Sequence, residues 1–215
     1  MYQPPHFRED DLAVQHALIK AHPFGLLVTF GSEGLEANPI PFVLDASASA
    51  RGTLKAHLSR ANPQWRTFDP DQEALVVFQG PETYITPSWY AAKREHGKVV
   101  PTWNYAIVQA RGRLIIRDDP DWLRRQIGAM TDLQEGPRPE PWSVGDAPAP
   151  FVAAQLKGIV GIEIEITRIE GKWKVSQNRS EADRIGVSAG LRLSADDASR
   201  RMAELVDARG ARPRE

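Results

Sequence analysis

The chain has 215 residues, 41% hydrophobic and 26% charged, with a formal net charge of -1. That is enough to bury one globular core, and it excludes the disordered, collagen-like and membrane-spanning classes. A charge near zero offers no general attraction to nucleic acid or anionic lipid, and the lack of cysteine removes disulfides, thiolate catalysis, iron–sulfur clusters and cysteine-rich zinc sites.

The start "MYQPPHFRED" lacks the charged-then-apolar plan of a signal peptide, and no apolar run approaches the roughly 18 to 20 residues of a membrane span. A cytoplasmic protein is expected. "REDDLAVQHALIKAHP" predicts a helix with Asp10 or Asp11 as N-cap and a stop at Pro23. "FGLLVTF" predicts a strand, "GSEG" a hairpin turn and "LEANPIPFVLD" its partner, which Pro39 and Pro41 confine to an edge, a bulge or a barrel rim. "DASASARG" reads as a small-residue surface loop.

In "TLKAHLS" Leu54, Ala56 and Leu58 share the core face, opposite Thr53, Lys55, His57 and Ser59. "ALVVFQG" is a continuously apolar strand, and "TYITPSWY" is extended and broken by Pro87. "VPTWNYAIVQARGRLIIRD" is a long strand with a bulge expected at Gly112. "PDWLRRQIGAMTDL" predicts a helix, "QEGPRPEPWSVGDAPAP" a proline-rich connector and "PFVAAQLKG" a further helix. "IVGIEIEITRI" alternates as a strand, and "GKWKVSQ" returns from a turn expected at Glu170 and Gly171. "SADDASRRMAELVDARG" is the terminal helix, and the tail "ARGARPRE" is expected to fray. About seven strands, with no βα alternation and no glycine fingerprint, point to a mainly β fold with peripheral helices.

Polar and aromatic residues concentrate in four segments: "AHLSRANPQW", "FQGPETYITPSWY", "VVPTWNYA" and "KWKVSQNR". The mix suits a planar, phosphorylated ligand. Ser59, Arg60 and Asn62 offer a fork of donors to an anion; the alternative is a solvated arginine beside an ordinary turn. Trp103, Asn104 and Tyr105 are either an aromatic core cluster with satisfied polar tips or one wall of a pocket. Lys172, Lys174 and Ser176 share a strand face, and Ser176, Gln177, Asn178 and Arg179 form a dense row of donors; the alternative is a hairpin with solvated lysines. The five histidines are scattered without metal-ligand spacing, so no metal is expected.

These segments, with the opening "MYQPPHF" and with "EANPIPF" and "SQNRS", resemble the PaiB-type family of FMN-binding negative transcriptional regulators. The likeness runs from Met1 to about Leu191, with Thr86 where the family form has serine, an exchange that keeps the hydroxyl. It implies a split β-barrel related to the pyridoxamine-phosphate-oxidase and flavin-reductase folds, homodimeric, with FMN at the subunit interface. It implies that Ser59, Arg60 and Asn62 hold the phosphate and that Trp103, Asn104 and Tyr105 line the flavin. It further implies that the final hairpin, with Lys172, Lys174, Ser176, Gln177 and Asn178, comes from the other subunit. Residues 1–191 would be the flavin-binding domain and 192–215 a C-terminal helix and frayed tail.

Three functions follow from these readings: a regulator in which FMN is structural or sensory, a flavin-dependent oxidoreductase or haem-degrading enzyme whose regulatory effect is indirect, and a cofactor-free dimeric interaction module. No acid–base pair is visible, and His57 is the one histidine on a polar strand face near the candidate residues. The terminal helix mixes Arg200, Arg201 and Arg209 with Asp196, Asp197, Glu204 and Asp207, so direct DNA binding by this chain is not expected.

Overall fold

Asp11 opens the first helix: its carboxylate accepts the N–H of Ala13 at 2.9 Å, and α1 (Leu12–Ala21) ends just before Pro23. The computed structural model describes residues 1–210. Before α1 lies the short strand β1 (Arg8–Glu9), and after it come β2 (Phe24–Gly31) and β3 (Gly34–Pro41). These two form an antiparallel hairpin in register from Phe24 opposite Pro41 to Gly31 opposite Gly34. β3 ends the sheet, where its prolines need no second ladder partner. β4 (Val43–Asp45), β5 (Thr53–Ser59) and α2 (Gln64–Thr67) follow, and β5 buries Leu54, Ala56 and Leu58 as its alternation requires.

Next come β6 (Ala74–Ile85), α3 (Ala92–Glu95), β7 (Thr102–Arg117) and α4 (Pro120–Glu135), the last capped by the Asp119 carboxylate on the Trp122 N–H. The chain continues through α5 (Ala149–Leu156), β8 (Ile159–Lys174), α6 (Glu181–Leu193) and α7 (Asp197–Gly210). The mostly antiparallel sheet has the order β3-β2-β6-β7-β8-β5-β4, with β1 on β8.

Four local expectations change. "GKWK" does not return from a turn, because β8 continues through Glu170 and Gly171 to Lys174. Gly171 serves close approach instead: a Cβ there would stand 3.0 Å from the Glu9 carbonyl oxygen and 2.8 Å from the Trp173 ring, so a side chain would press on both β1 and that ring. Gly112 likewise admits the β8 backbone, since its Cβ would meet the Glu165 carbonyl oxygen at 1.9 Å. "ALVVFQG" and "TYI" are one strand, and β2 meets it at Leu75–Val77, so Pro81 lies beyond that ladder. Finally, α6 was not among the expected helices; its signal is Ser180, whose side chain accepts the Asp183 N–H at 3.2 Å. Of the tail expected to fray, Ala208–Gly210 belong to α7, and the remainder lies outside the described residues.

The residues group into two compact units. One comprises Met1–Gln15, Gln79–Val108 and the chain from Glu170; the other comprises His16–Phe78 and Gln109–Ile169. The first buries Ile85, Tyr90, Trp173, Val187, Leu191 and Met202, with α6 packed on α7. The second buries Leu27, Leu54, Val76, Phe78, Ile162 and Ile164, with a satellite of Leu123, Val152 and Leu156 beneath α4 and α5.

Candidate functional site

Strand alternation divides the segment "TWNYA" between two faces. Asn104 and Ala106 are buried, at 1% and 0% exposure, while Trp103 is 56% exposed and Tyr105 half-buried on the other side. The exposed side gathers rings: Tyr84 meets Trp103 edge-on at 6.0 Å between centroids. Gln79, Glu82, Trp103, Tyr105, Ala106 and Ile107 line an open cleft of about 240 Å³.

β1 anchors the end of β8 at this cleft, pairing Arg8 with Lys172 and Glu9 with Gly171. The Lys172 ammonium lies 5.3 Å from the Tyr105 ring and 5.5 Å from the Tyr2 ring, on a residue only 8% exposed. Lys174 donates to Thr102 Oγ1 and to the Trp103 carbonyl oxygen, both at 2.5 Å. Arg179 stacks 4.7 Å from the ring of fully buried Tyr90, whose hydroxyl has no hydrogen-bond partner among the described residues. Burial pushes Lys174 below the ordinary lysine range, and the charges of Lys172 and Arg179 push it the same way. No ion pair among the described residues involves these three cations.

On the opposite side, Asn104 Nδ2 donates to Ser176 Oγ at 2.9 Å, and Ser176 Oγ returns a bond to Asn104 Oδ1 at 3.3 Å. Ser176 is 3% exposed and holds φ at +65°, a left-handed conformation that favours glycine. Gln177 folds back on its own strand end, accepting from the Val175 N–H and donating to the Trp173 carbonyl. Asn178 is exposed. The structure therefore brings Trp103, Tyr105, Lys172 and Lys174 to one place and uses Asn104, Ser176 and Gln177 as braces.

Ser59, Arg60 and Asn62 belong to the second unit and form a tight turn into α2. Ser59 Oγ accepts the Ala61 N–H at 3.3 Å, and Asn62 Oδ1 accepts the Gln64 N–H at 2.9 Å. Arg60 donates to both carboxylate oxygens of Asp118 and to the carbonyls of Lys157 and Ile159, so four of its five N–H groups are engaged. His57 Nδ1 is held 2.8 Å from Gln126 Oε1.

The model of the family described as "Putative FMN-binding domain" matches residues 1–168. The chain belongs to this family. FMN is its cofactor, and the fold is that of split-barrel flavoproteins. The uncharacterized protein AN0679 of Emericella nidulans is 34% identical over 245 residues, covering 98% of each chain. Protease synthase and sporulation protein PAI 2 of Bacillus subtilis is 32% identical over 207 residues, covering 96% of this chain and 97% of its own. Among solved structures, the flavocytochrome Anf3 of Azotobacter vinelandii superposes with a TM-score of 0.56 at 12% identity, over 78% of this chain and 69% of its own.

The residues fit this cofactor. A cluster of Lys172, Lys174 and Arg179 with no ion pair among the described residues suits a dianionic phosphate, and the exposed rings of Trp103 and Tyr84 with half-buried Tyr105 suit a planar ring system. Sequence reasoning missed Tyr2, Tyr84 and Tyr90 as individual site residues and placed Arg179 only as the last of a row of donors. Their signal was present: the tyrosines stand in the quoted "MYQPPHF" and "TYITPSWY", and Arg179 closes "SQNR". Among the described residues no helix is long and apolar enough to cross a membrane.

Proposed function

We propose that the chain is a PaiB-type, FMN-binding negative regulator of transcription, working as a homodimer with the flavin at the subunit interface. The observation that carries the flavin assignment is the group of three cations with no ion pair among the described residues, of which Lys172 stands against the Tyr105 ring of β7 and Arg179 bears on Lys174. Lys172, Lys174 and Arg179 hold the phosphate in this reading, while Trp103 and Tyr105 flank the ring. Bound FMN supplies a group able to accept one or two electrons, which suits a sensor. Asn104 and Ser176 keep β7 and the end of β8 in place, and Arg60 with Ser59 and Asn62 shapes the turn before α2.

Regulation through the flavin agrees with the helices. Arg192 pairs with Asp207, Arg200 with Asp197 and Arg209 with Glu9, so these arginines are neutralised within the chain and offer little to a phosphate backbone. Titration with FMN and with riboflavin tests the assignment: FMN binds at least tenfold more tightly, and the preference disappears in a Lys172→Ala/Lys174→Ala variant. Equal affinity of the unmodified protein for both would overturn it.

A further inference from the structure

Lys172, Lys174 and Arg179 carry like charges, and both Lys172 and Arg179 disfavour the protonated form of Lys174. Cations gathered in this way push one another apart unless the chain that bears them is held. Two segments bear them: the end of β8, with Lys172 and Lys174, and the loop into α6, with Arg179. Both are tied to the last turn of α7.

The first tie runs through β1. Arg209 donates to the Glu9 carboxylate, in a pair whose side chains are 11% and 4% exposed, and its guanidinium lies 5.2 Å from the Trp173 ring. Trp173 stands between the two lysines in sequence and, by strand alternation, on the opposite face of β8. Glu9 is itself fixed: its carboxylate accepts the Asp11 N–H at 2.9 Å, its carbonyl accepts from Gln15 Nε2 at 2.6 Å, and its backbone pairs with Gly171. The second tie runs through α6. Arg184 donates to the Arg179 carbonyl oxygen at 3.0 Å and to the Gly210 carbonyl oxygen at 3.3 Å. It thus joins the residue that carries the third cation to the neighbour of Arg209.

We infer that the last turn of α7 sets the spacing of the three cations, with Arg209 and Arg184 as positioning residues for the phosphate of FMN. The inference rests on the proposed role of Lys172, Lys174 and Arg179 as phosphate ligands and adds what holds them in place. Simple anchoring of α7 does not account for these contacts, because Met202, Ala203 and Val206 are already buried where α7 packs on α6. A buried ion pair also adds little net stability, since desolvating both charges offsets their attraction; what it supplies is a fixed geometry. Fixing the donors before the ligand arrives removes an ordering cost from binding, and the gain falls on the phosphate alone.

Titrations with FMN and riboflavin test this in the unmodified protein and in Arg209→Met, Arg209→Lys, Arg184→Met and Arg192→Met, with circular dichroism as the check on folding. The ratio of FMN to riboflavin affinity should fall at least about fivefold in Arg209→Met and Arg184→Met, while riboflavin affinity changes less than about twofold. Arg209→Lys keeps a cation beside Glu9 and should hold the ratio within about twofold of the parent. Arg192→Met breaks the other α6–α7 tie, to Asp207, and should leave the ratio unchanged. Arg184→Met leaves the Glu9 pair intact, so it decides the matter where Arg209→Met does not fold. A ratio that survives in folded Arg184→Met, or that falls equally in Arg192→Met, overturns the role of α7 and spares the phosphate ligands. Equal affinity of the unmodified protein for both flavins overturns the phosphate assignment and this inference with it.

Discussion

The Asn104–Ser176 pair is the most direct test of which polar residues brace the site and which bind. Asn104→Ala removes both bonds and leaves the Ser176 hydroxyl desolvated, 3% exposed and without its partner. A buried group stranded in this way costs about 1–3 kcal/mol. For a chain of this length, a loss of about 2 kcal/mol lowers Tm by about 4–8 °C. Ser176→Ala strands the Asn104 amide and costs a similar amount. Ser176→Gly loses the same bond but relieves the +65° φ, so it is less destabilised than Ser176→Ala by about 1 kcal/mol. In urea titrations the double variant Asn104→Ala/Ser176→Ala should recover about 1 kcal/mol relative to the sum of the single changes, because neither stranded partner remains. FMN affinity of the folded protein should stay within about threefold, a change of well under 1 kcal/mol. Single variants as stable as the parent, or a strictly additive double variant, would show that the pair is no desolvated brace; a large loss of affinity at full stability would return Asn104 to the flavin.

Raising pH should weaken FMN binding in a window below the ordinary lysine value, since Lys174 titrates low; the protonated ammonium is disfavoured in the free fold, an anion restores it, and binding therefore takes up a proton there. Lys174→Arg should flatten that dependence in calorimetry, because a guanidinium stays charged; an unchanged profile argues against Lys174 at the phosphate. Arg60→Ala should lower Tm while leaving the FMN-to-riboflavin affinity ratio intact, because Arg60 is committed to Asp118 and two carbonyls; collapse of that ratio would make it a phosphate ligand. Asp45, lowered to about 2 by its bond to Lys55 and then by Ser47, stabilises the fold above its ordinary pKa and loses that contribution as pH falls from about 4 towards 2. For so open a pair the loss is about 0.5–1 kcal/mol, and Asp45→Asn should remove it from the acid limb of a pH–stability curve.

Local pattern alone was sufficient for much of the framework. The period-2 burial of β5, a cap at Asp10 or Asp11, the Pro23 stop and the confinement of "NPIP" to an edge, a bulge or a barrel rim all follow from steric and hydrogen-bonding rules acting within a few residues. The family and its cofactor were legible too, since long motifs such as "VVPTWNY" are local strings. Alternation could also have separated Trp103 and Tyr105 from Asn104, because neighbours on a strand face opposite ways. What the tertiary structure decided is availability. Sequence offers Arg60 as an anion ligand and Asn104 as a pocket wall; the fold adds that Arg60 pairs with Asp118, 58 residues away, and that Asn104 bonds to Ser176, 72 residues away. Gly171 looks like a turn until β1 is seen to need the space. A donor's chemistry is written in its own side chain, but whether it is spent or free depends on partners that only folding brings within 3 Å.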